Sequence, residues 1–168
     1  MKSLLSAFCV VFSALGISQA AIIDIDSTTK TRSVEVVLEA GKYDISFVSS
    51  AFDAWNAWGR TRGCARDGTG CAQGWLTNLH IYSEEIGTIR IGSHGRFRSM
   101  ELALANALPA TIELSTRQSV RFFIADRRYH DNQGGVSVDI AQTAVPLPAA
   151  GLLFLGGIAA LRMRRAKA

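Results

Sequence analysis

From Val34 to Phe47 the chain alternates: Val34, Val36 and Leu38 are separated by Glu35 and Val37, and Tyr43, Ile45 and Phe47 by Asp44 and Ser46. A period of two sends successive side chains to opposite faces, which suits a half-buried strand and excludes a helical stripe. Glu39-Ala40-Gly41-Lys42 supplies a turn between the two runs, so the spacing predicts a β-hairpin. Further strands are expected at Trp75 to Tyr82, Ile86 to Ile91, Thr111 to Leu114, Val120 to Ala125 and Val136 to Ile140, each bounded by Gly, Asn, Asp or Ser. Seven strands in about 120 residues predict an all-β fold, a single antiparallel β-sandwich. Met100 to Leu108 is the exception, a run of helix formers stopped by Pro109.

Both ends of the chain are addresses rather than fold. Lys2 precedes an uncharged apolar stretch from Leu4 to Ile17, and Ser18-Gln19-Ala20 puts small residues where a signal peptidase reads, so cleavage is expected between Ala20 and Ala21. Cys9 lies inside that stretch and leaves with it. At the other end Val145-Pro146-Leu147-Pro148 is an extended hinge, since proline neither continues a helix nor pairs in a central strand. Ala149 to Leu161 is an apolar run of 13 residues, short of the roughly 17–25 that span a bilayer; counted from Val145 it reaches 17. Arg162, Arg164, Arg165 and Lys167 would snorkel and hold that end in the cytoplasm. The competing reading, a buried or amphipathic C-terminal helix, meets the absence of any polar face between Leu152 and Leu161. This order of hinge, apolar segment and basic end resembles the PEP-CTERM sorting signal of Gram-negative bacteria, with Leu147 where the family has Glu. The resemblance implies anchorage in the inner membrane by a C-terminal transmembrane helix, cutting by exosortase near Pro146 to Pro148, and passage to the cell surface or extracellular matrix. Residues 1–20 are then a signal peptide, 21–144 the exported domain and 145–168 the sorting tail.

Removing the addresses changes the charge. The whole chain is +4, but Lys2 and the four basic tail residues carry much of that. The exported part keeps 13 Lys and Arg against all 14 Asp and Glu, a net of −1. The basicity belongs to targeting, and no basic stripe with interleaved aromatics argues for nucleic acid as a partner. Cys64 and Cys71 enclose a six-residue Gly-rich loop in a chain bound for an oxidising compartment, where a disulfide is expected. A two-Cys metal site and two free thiols are the alternatives.

Two constellations sit at strand ends. Asp126, Asp131 and Asn132 place three oxygen-bearing side chains within seven residues, hard ligands suited to Ca²⁺, with the backbone carbonyls of Arg128 or Tyr129 completing the shell and Gly134-Gly135 allowing a reversal. The same residues also make an ordinary turn closed by Asx hydrogen bonds. Trp55 and Trp58, three apart beside Gly59, either form a platform on which a sugar ring stacks or plug the core. Trp55-x-x-Trp58-Gly59, the close Cys64 and Cys71 pair followed by a strand, and the Asp126 to Gly134 loop leading into Val136 to Ile140 resemble the calcium-dependent galactophilic lectins of bacteria. The resemblance implies a lectin-like jelly roll that binds Ca²⁺ through Asp126, Asp131, Asn132, a loop carbonyl such as that of Arg128, and the backbone carbonyl of Trp58. Sugar hydroxyls would join the same ion, so that Trp55, Trp58, Asp126 and Asp131 become carbohydrate contacts. The family's His and Gln sugar contacts have no counterpart between Arg60 and Gly70, so metal binding is implied more directly than galactose specificity.

No catalytic set emerges. His80, His94 and His130 lack Glu or Cys at metal-ligand offsets, Gly92-Ser93-His94-Gly95 is not a nucleophile elbow, and the adjacent Glu84 and Glu85 would point to opposite faces of a strand. The expected function is therefore binding: a Ca²⁺-dependent carbohydrate-binding module acting on matrix polysaccharide, or else a structural matrix or surface protein whose Asp126 loop is only a turn. Ice binding would need a flat face of repeated Thr, and the chain offers only Thr28-Thr29.

Overall fold

A computed structural model describes residues 20–57 and 74–143. Among the described residues nine strands run in the order β1 (Ala20–Asp26), β2 (Ser33–Leu38), β3 (Gly41–Val48), β4 (Trp55–Asn56), β5 (Leu79–Ser83), β6 (Gly87–Ile91), β7 (Ala110–Leu114), β8 (Gln118–Phe123) and β9 (Gln133–Gln142), with one α-helix, α1 (Met100–Ala105), before β7. They make two antiparallel sheets, one ordered β1-β9-β3-β7 with β4 also pairing β9, the other β2-β8-β5-β6. The all-β expectation holds in this two-sheet form.

Alternation fixes which side chains meet between the sheets. Ile25, Tyr43, Ile45, Ile112, Leu114, Val136, Val138 and Ile140 come from the five-stranded sheet, and Leu38, Leu79, Ile81, Ile91, Val120 and Phe122 from the four-stranded one; all are buried in one apolar cluster. Each such side chain is worth roughly 1.5–3 kcal/mol on removal from water, which is what binds two otherwise separate sheets. A smaller cluster of Ala54, Trp75 and Ala103, with Phe97 and Met100 against it, seats α1 at one end.

The expected hairpin between Val34 and Phe47 does not form. β2 pairs with β8 in one sheet, while β3 pairs with β7 and β9 in the other, so the turn at Glu39-Ala40 carries the chain across the core. Gly41 makes the crossing, with φ of 148° and the Gln142 side chain 2.6 Å from where a Cβ would stand. Only glycine adopts that backbone freely. Tyr43 then donates its hydroxyl to the Glu39 carbonyl at 3.0 Å, closing the arch from within. Hairpin and arch need the same alternation, because both put Leu38 and Tyr43 in the core; the choice is made by distant partners.

Other boundaries moved for local reasons. The Trp75 to Tyr82 run breaks in two: Trp75 and Leu76 form single bridges to Phe97 and Trp55, and the strand proper starts at Leu79. α1 ends at Ala105, short of Pro109, because Asn106 turns its amide nitrogen onto the Leu102 carbonyl at 2.8 Å; Ser99 caps the other end by accepting from the Leu102 N–H. β1 was not among the expected strands, its period hidden by the Ile22-Ile23 doublet beside the leader. It pairs with β9 from Ala20↔Ala141 to Asp26↔Gly135, so the expected signal cut between Ala20 and Ala21 falls one residue inside this strand.

Candidate functional site

The Asp126 loop joins β8 to β9 and so crosses from one sheet to the other. It is clasped to the loop joining β1 to β2. Ile124 donates its N–H to the Arg32 carbonyl at 2.9 Å, Ser27 donates both its N–H and its hydroxyl to the Gly134 carbonyl, and the Asn132 amide nitrogen donates to the Ser27 carbonyl at 3.0 Å. Between these anchors Tyr129–Asp131 forms a single 3-10 turn, preceded by Arg128, whose side chain makes no capping hydrogen bond, and closed by the Asn132 N–H on the Tyr129 carbonyl. Gly134, at φ of 75°, lets β9 start against β4: a Cβ there would stand 2.4 Å from the Ala54 carbonyl oxygen. That glycine therefore serves close packing as well as the reversal.

The nominated calcium ligands are placed unequally. Asp126 is half-buried, Asp131 is exposed on the 3-10 turn, and Asn132 is buried with its amide committed to Ser27. Asp126 Oδ2 and Asn132 Oδ1 are nevertheless both buried without a hydrogen-bond partner. Buried oxygens are normally paired, and a hard cation is one partner that satisfies a carboxylate and a carboxamide together. Among the described residues, no three or more His, Cys, Asp or Glu side chains gather as a metal cluster. Of the nominated side chains, Asp126 and Asn132 thus each carry an unpartnered buried oxygen and Asp131 is exposed; the Trp58 carbonyl, expected to complete the set, lies outside the described residues.

Trp55 is corrected from a sugar platform to a core plug. It is 3 % exposed, its indole N–H donates to the Asn78 carbonyl at 3.1 Å, and its backbone bridges Leu76 in both directions. Its ring has no face left for a ligand. Cys64 and Cys71, Val145 to Pro148, and Arg162, Arg164 and Arg165 also lie outside the described residues. Among those described, no helix is long and apolar enough to cross a membrane.

Asp126 also lines a groove of about 510 Å³ whose charge is of the opposite kind, because Arg32, Arg121 and Arg127 line it too. Arg32 holds φ of 43°, lays its guanidinium 4.9 Å from the Tyr129 ring centroid, and keeps Nε and Nη1 buried without partners. Tyr129 in turn lies against His130, with ring centroids 4.2 Å apart. The reading of the sequence missed this groove because its residues come from the β1–β2 loop, β8 and the β8–β9 loop. The available signal was the outward triplet Ser119, Arg121 and Phe123, alternating with Val120 and Phe122.

The residues weighed for catalysis are dispersed. His94 and His130 are exposed, while His80 is half-buried and stacked on Phe123 at 5.2 Å, its pKa lowered by burial first and by the Arg90 charge second. Glu84 and Glu85 sit in the β5–β6 turn. The Glu85 carboxylate accepts from the Ser115 N–H and from the Gln118 amide, which hold its pKa low, a brace between turns. Thr28 hydrogen-bonds Asp26 through both its N–H and its hydroxyl, so it serves a turn and no regular Thr face. In comparisons with family models, curated proteins and solved structures, the chain finds no match.

Proposed function

We propose that this is an exported protein of the cell surface or extracellular matrix, released by signal peptidase, held briefly in the inner membrane and processed by exosortase, whose domain is a Ca²⁺-dependent carbohydrate-binding module of the lectin-like jelly-roll kind. The addressing half of this reading is carried by the leader and by the Pro146-Leu147-Pro148 tail. The binding half rests on one observation, the buried and unpartnered Asp126 Oδ2 and Asn132 Oδ1 at the clasp of two loops. Ca²⁺ would supply there a charge that both oxygens coordinate, while Asn132 and Ser27 keep the loop in place without it.

Titration calorimetry of residues 21–144 with Ca²⁺, alongside thermal melting, tests the binding half. Heat and a higher melting temperature are expected, and both should vanish in Asp126→Ala; no heat and no stabilisation in the unaltered domain would remove Ca²⁺ from the proposal. A second reading, a structural matrix protein, is favoured by the loop's own bonds, since the Asn132–Ser27 contact and the 3-10 turn already close it as a turn. It predicts unchanged folding in EDTA and no retention on a glycan array.

A further inference from the structure

The outer face of the four-stranded sheet carries two ordered rows of side chains. Register sets Ser33, Phe123, His80 and Arg90 side by side across β2, β8, β5 and β6, and next to them Glu35, Arg121, Tyr82 and Thr88. Phe123 stacks on His80, with planes 25° apart. The Arg121 guanidinium sits 4.9 Å from the Phe123 ring centroid and 5.4 Å from that of Tyr82, within cation–π range of both. Arg121 also lines two concavities at once: the groove of about 510 Å³ with Arg32 and Arg127, and a second of about 350 Å³ with Glu35, Tyr82, Glu84, Gln118 and Ser119. The two concavities share Arg121 and are together called the trough.

We propose that this trough binds an acidic polysaccharide, with a uronate carboxylate on the arginine end and neutral hydroxyl-rich units along the Tyr82 end. The proposal rests on the carbohydrate-binding reading above and moves the contact surface from the tryptophans to β8. Arg32, Arg121 and Arg127 line this end, and a carboxylate is the acceptor that matches a guanidinium fork in two parallel hydrogen bonds. Three guanidinium groups against the single carboxylate of Asp126 leave that end cationic. At the other end Ser119 donates to Glu35 and Gln118 to Glu85, each at 2.6 Å, which leaves the second Glu35 oxygen and the Gln118 amide oxygen as acceptors for sugar hydroxyls, and the Tyr82 ring offers a face for a pyranose. Nucleic acid also stacks on aromatics and pairs with arginine, but a continuous phosphate backbone would run past Glu35 and Glu84, which repel it.

The test uses the full chain in mild detergent, titrated calorimetrically with a uronic-acid oligosaccharide, its carboxyl-reduced counterpart, and a single-stranded DNA of equal charge. The uronate should bind, with affinity lower by about tenfold or more for the reduced sugar, for Arg121→Gln and for Tyr82→Ala, as befits one charged hydrogen bond or one stacked ring. Arg117→Gln, an exposed change outside the trough, should bind as the unaltered chain does. Should Tyr82→Ala lose its fold, Arg127→Gln at the exposed mouth of the groove carries the same expectation. Absence of uronate binding, equal binding of the reduced sugar, tighter binding of DNA, or full binding by Arg121→Gln would each overturn the proposal. Binding lost in EDTA and in Asp126→Ala but kept in Arg121→Gln would assign the sugar to the loop. Binding kept in EDTA but lost in Arg121→Gln would support the trough while removing Ca²⁺.

Discussion

The two outer faces of this molecule are built by the same alternation and end in different states. On the five-stranded sheet two outward carboxylates are closed by neighbouring hydroxyls: Asp44 accepts from Thr111 at 2.7 Å and Thr143 at 3.1 Å, and Asp24 from Ser137 at 2.5 Å, with the buried Asp139 Oδ1 left over. On the four-stranded sheet Arg121 lies between two rings with no carboxylate paired to it, and His80 Nδ1 is buried without a partner. The four-stranded face closes one carboxylate in the same way, Ser119 donating to Glu35 at 2.6 Å, but it keeps the Arg121 charge and its neighbouring rings open. The lesson is that exposure alone does not distinguish a finished surface from a receptive one. Pairing does.

The contrast can be broken first at β8, where inward and outward residues alternate. Phe122→Ala, emptying a fully buried site, should cost about 3–5 kcal/mol, whereas its neighbour Arg121→Gln should stay within about 0.5 kcal/mol in urea unfolding. A large loss from Arg121→Gln would mean that the open face is structural after all. Next comes the closed face, where Ser137, buried and joined both to Asp24 and to the Phe52 N–H, links strand to loop. Ser137→Ala should cost about 1–3 kcal/mol because it leaves the Phe52 N–H without its acceptor. A neutral outcome would show that this face is no more committed than the other.

The smallest effect expected is a pH dependence. Burial and Arg90 lower the His80 pKa, so below the ordinary value of about 6.5 the unfolded chain takes up a proton that the folded chain resists. The His80 share of stability is therefore intact at neutral pH and declines as pH falls from about 6.5 toward the depressed folded value. Comparing urea midpoints at neutral and mildly acidic pH for the unaltered chain and His80→Phe isolates it; identical slopes in the two would mean that His80 is not the group responsible. Asp44 and Glu85 act at lower pH, since both are held low by hydrogen bonds and their contribution disappears as pH falls through their folded values.

Much of the core was legible from local pattern. Val34, Val36 and Leu38 with Tyr43, Ile45 and Phe47 all face the interior or pack against it, as their spacing required. Their partners were not legible, because Gly41 turns the same alternation into an arch as readily as a hairpin. The site divided in the same way. Asp126 and Asn132 stood out as a cluster of oxygens in sequence, and both carry an unpartnered buried oxygen. Trp55 stood out equally and lies in the core, since a tryptophan's sequence neighbours do not say which way its ring turns. Arg121 passed unnoticed: an arginine beside Phe123 on one strand acquires meaning only when Tyr82 and Arg32 arrive from elsewhere.

By itself the sequence determined an all-β domain, the inward set of each strand and the polar loop between β8 and β9, because these follow from a period of two and from turn chemistry within a few residues. Tertiary structure alone decided that β2 and β3 belong to different sheets, that Trp55 is buried, and that guanidinium groups and rings share one trough. Strand pairing and side-chain juxtaposition join residues far apart in the chain, and their free energy depends on partners that no local window contains.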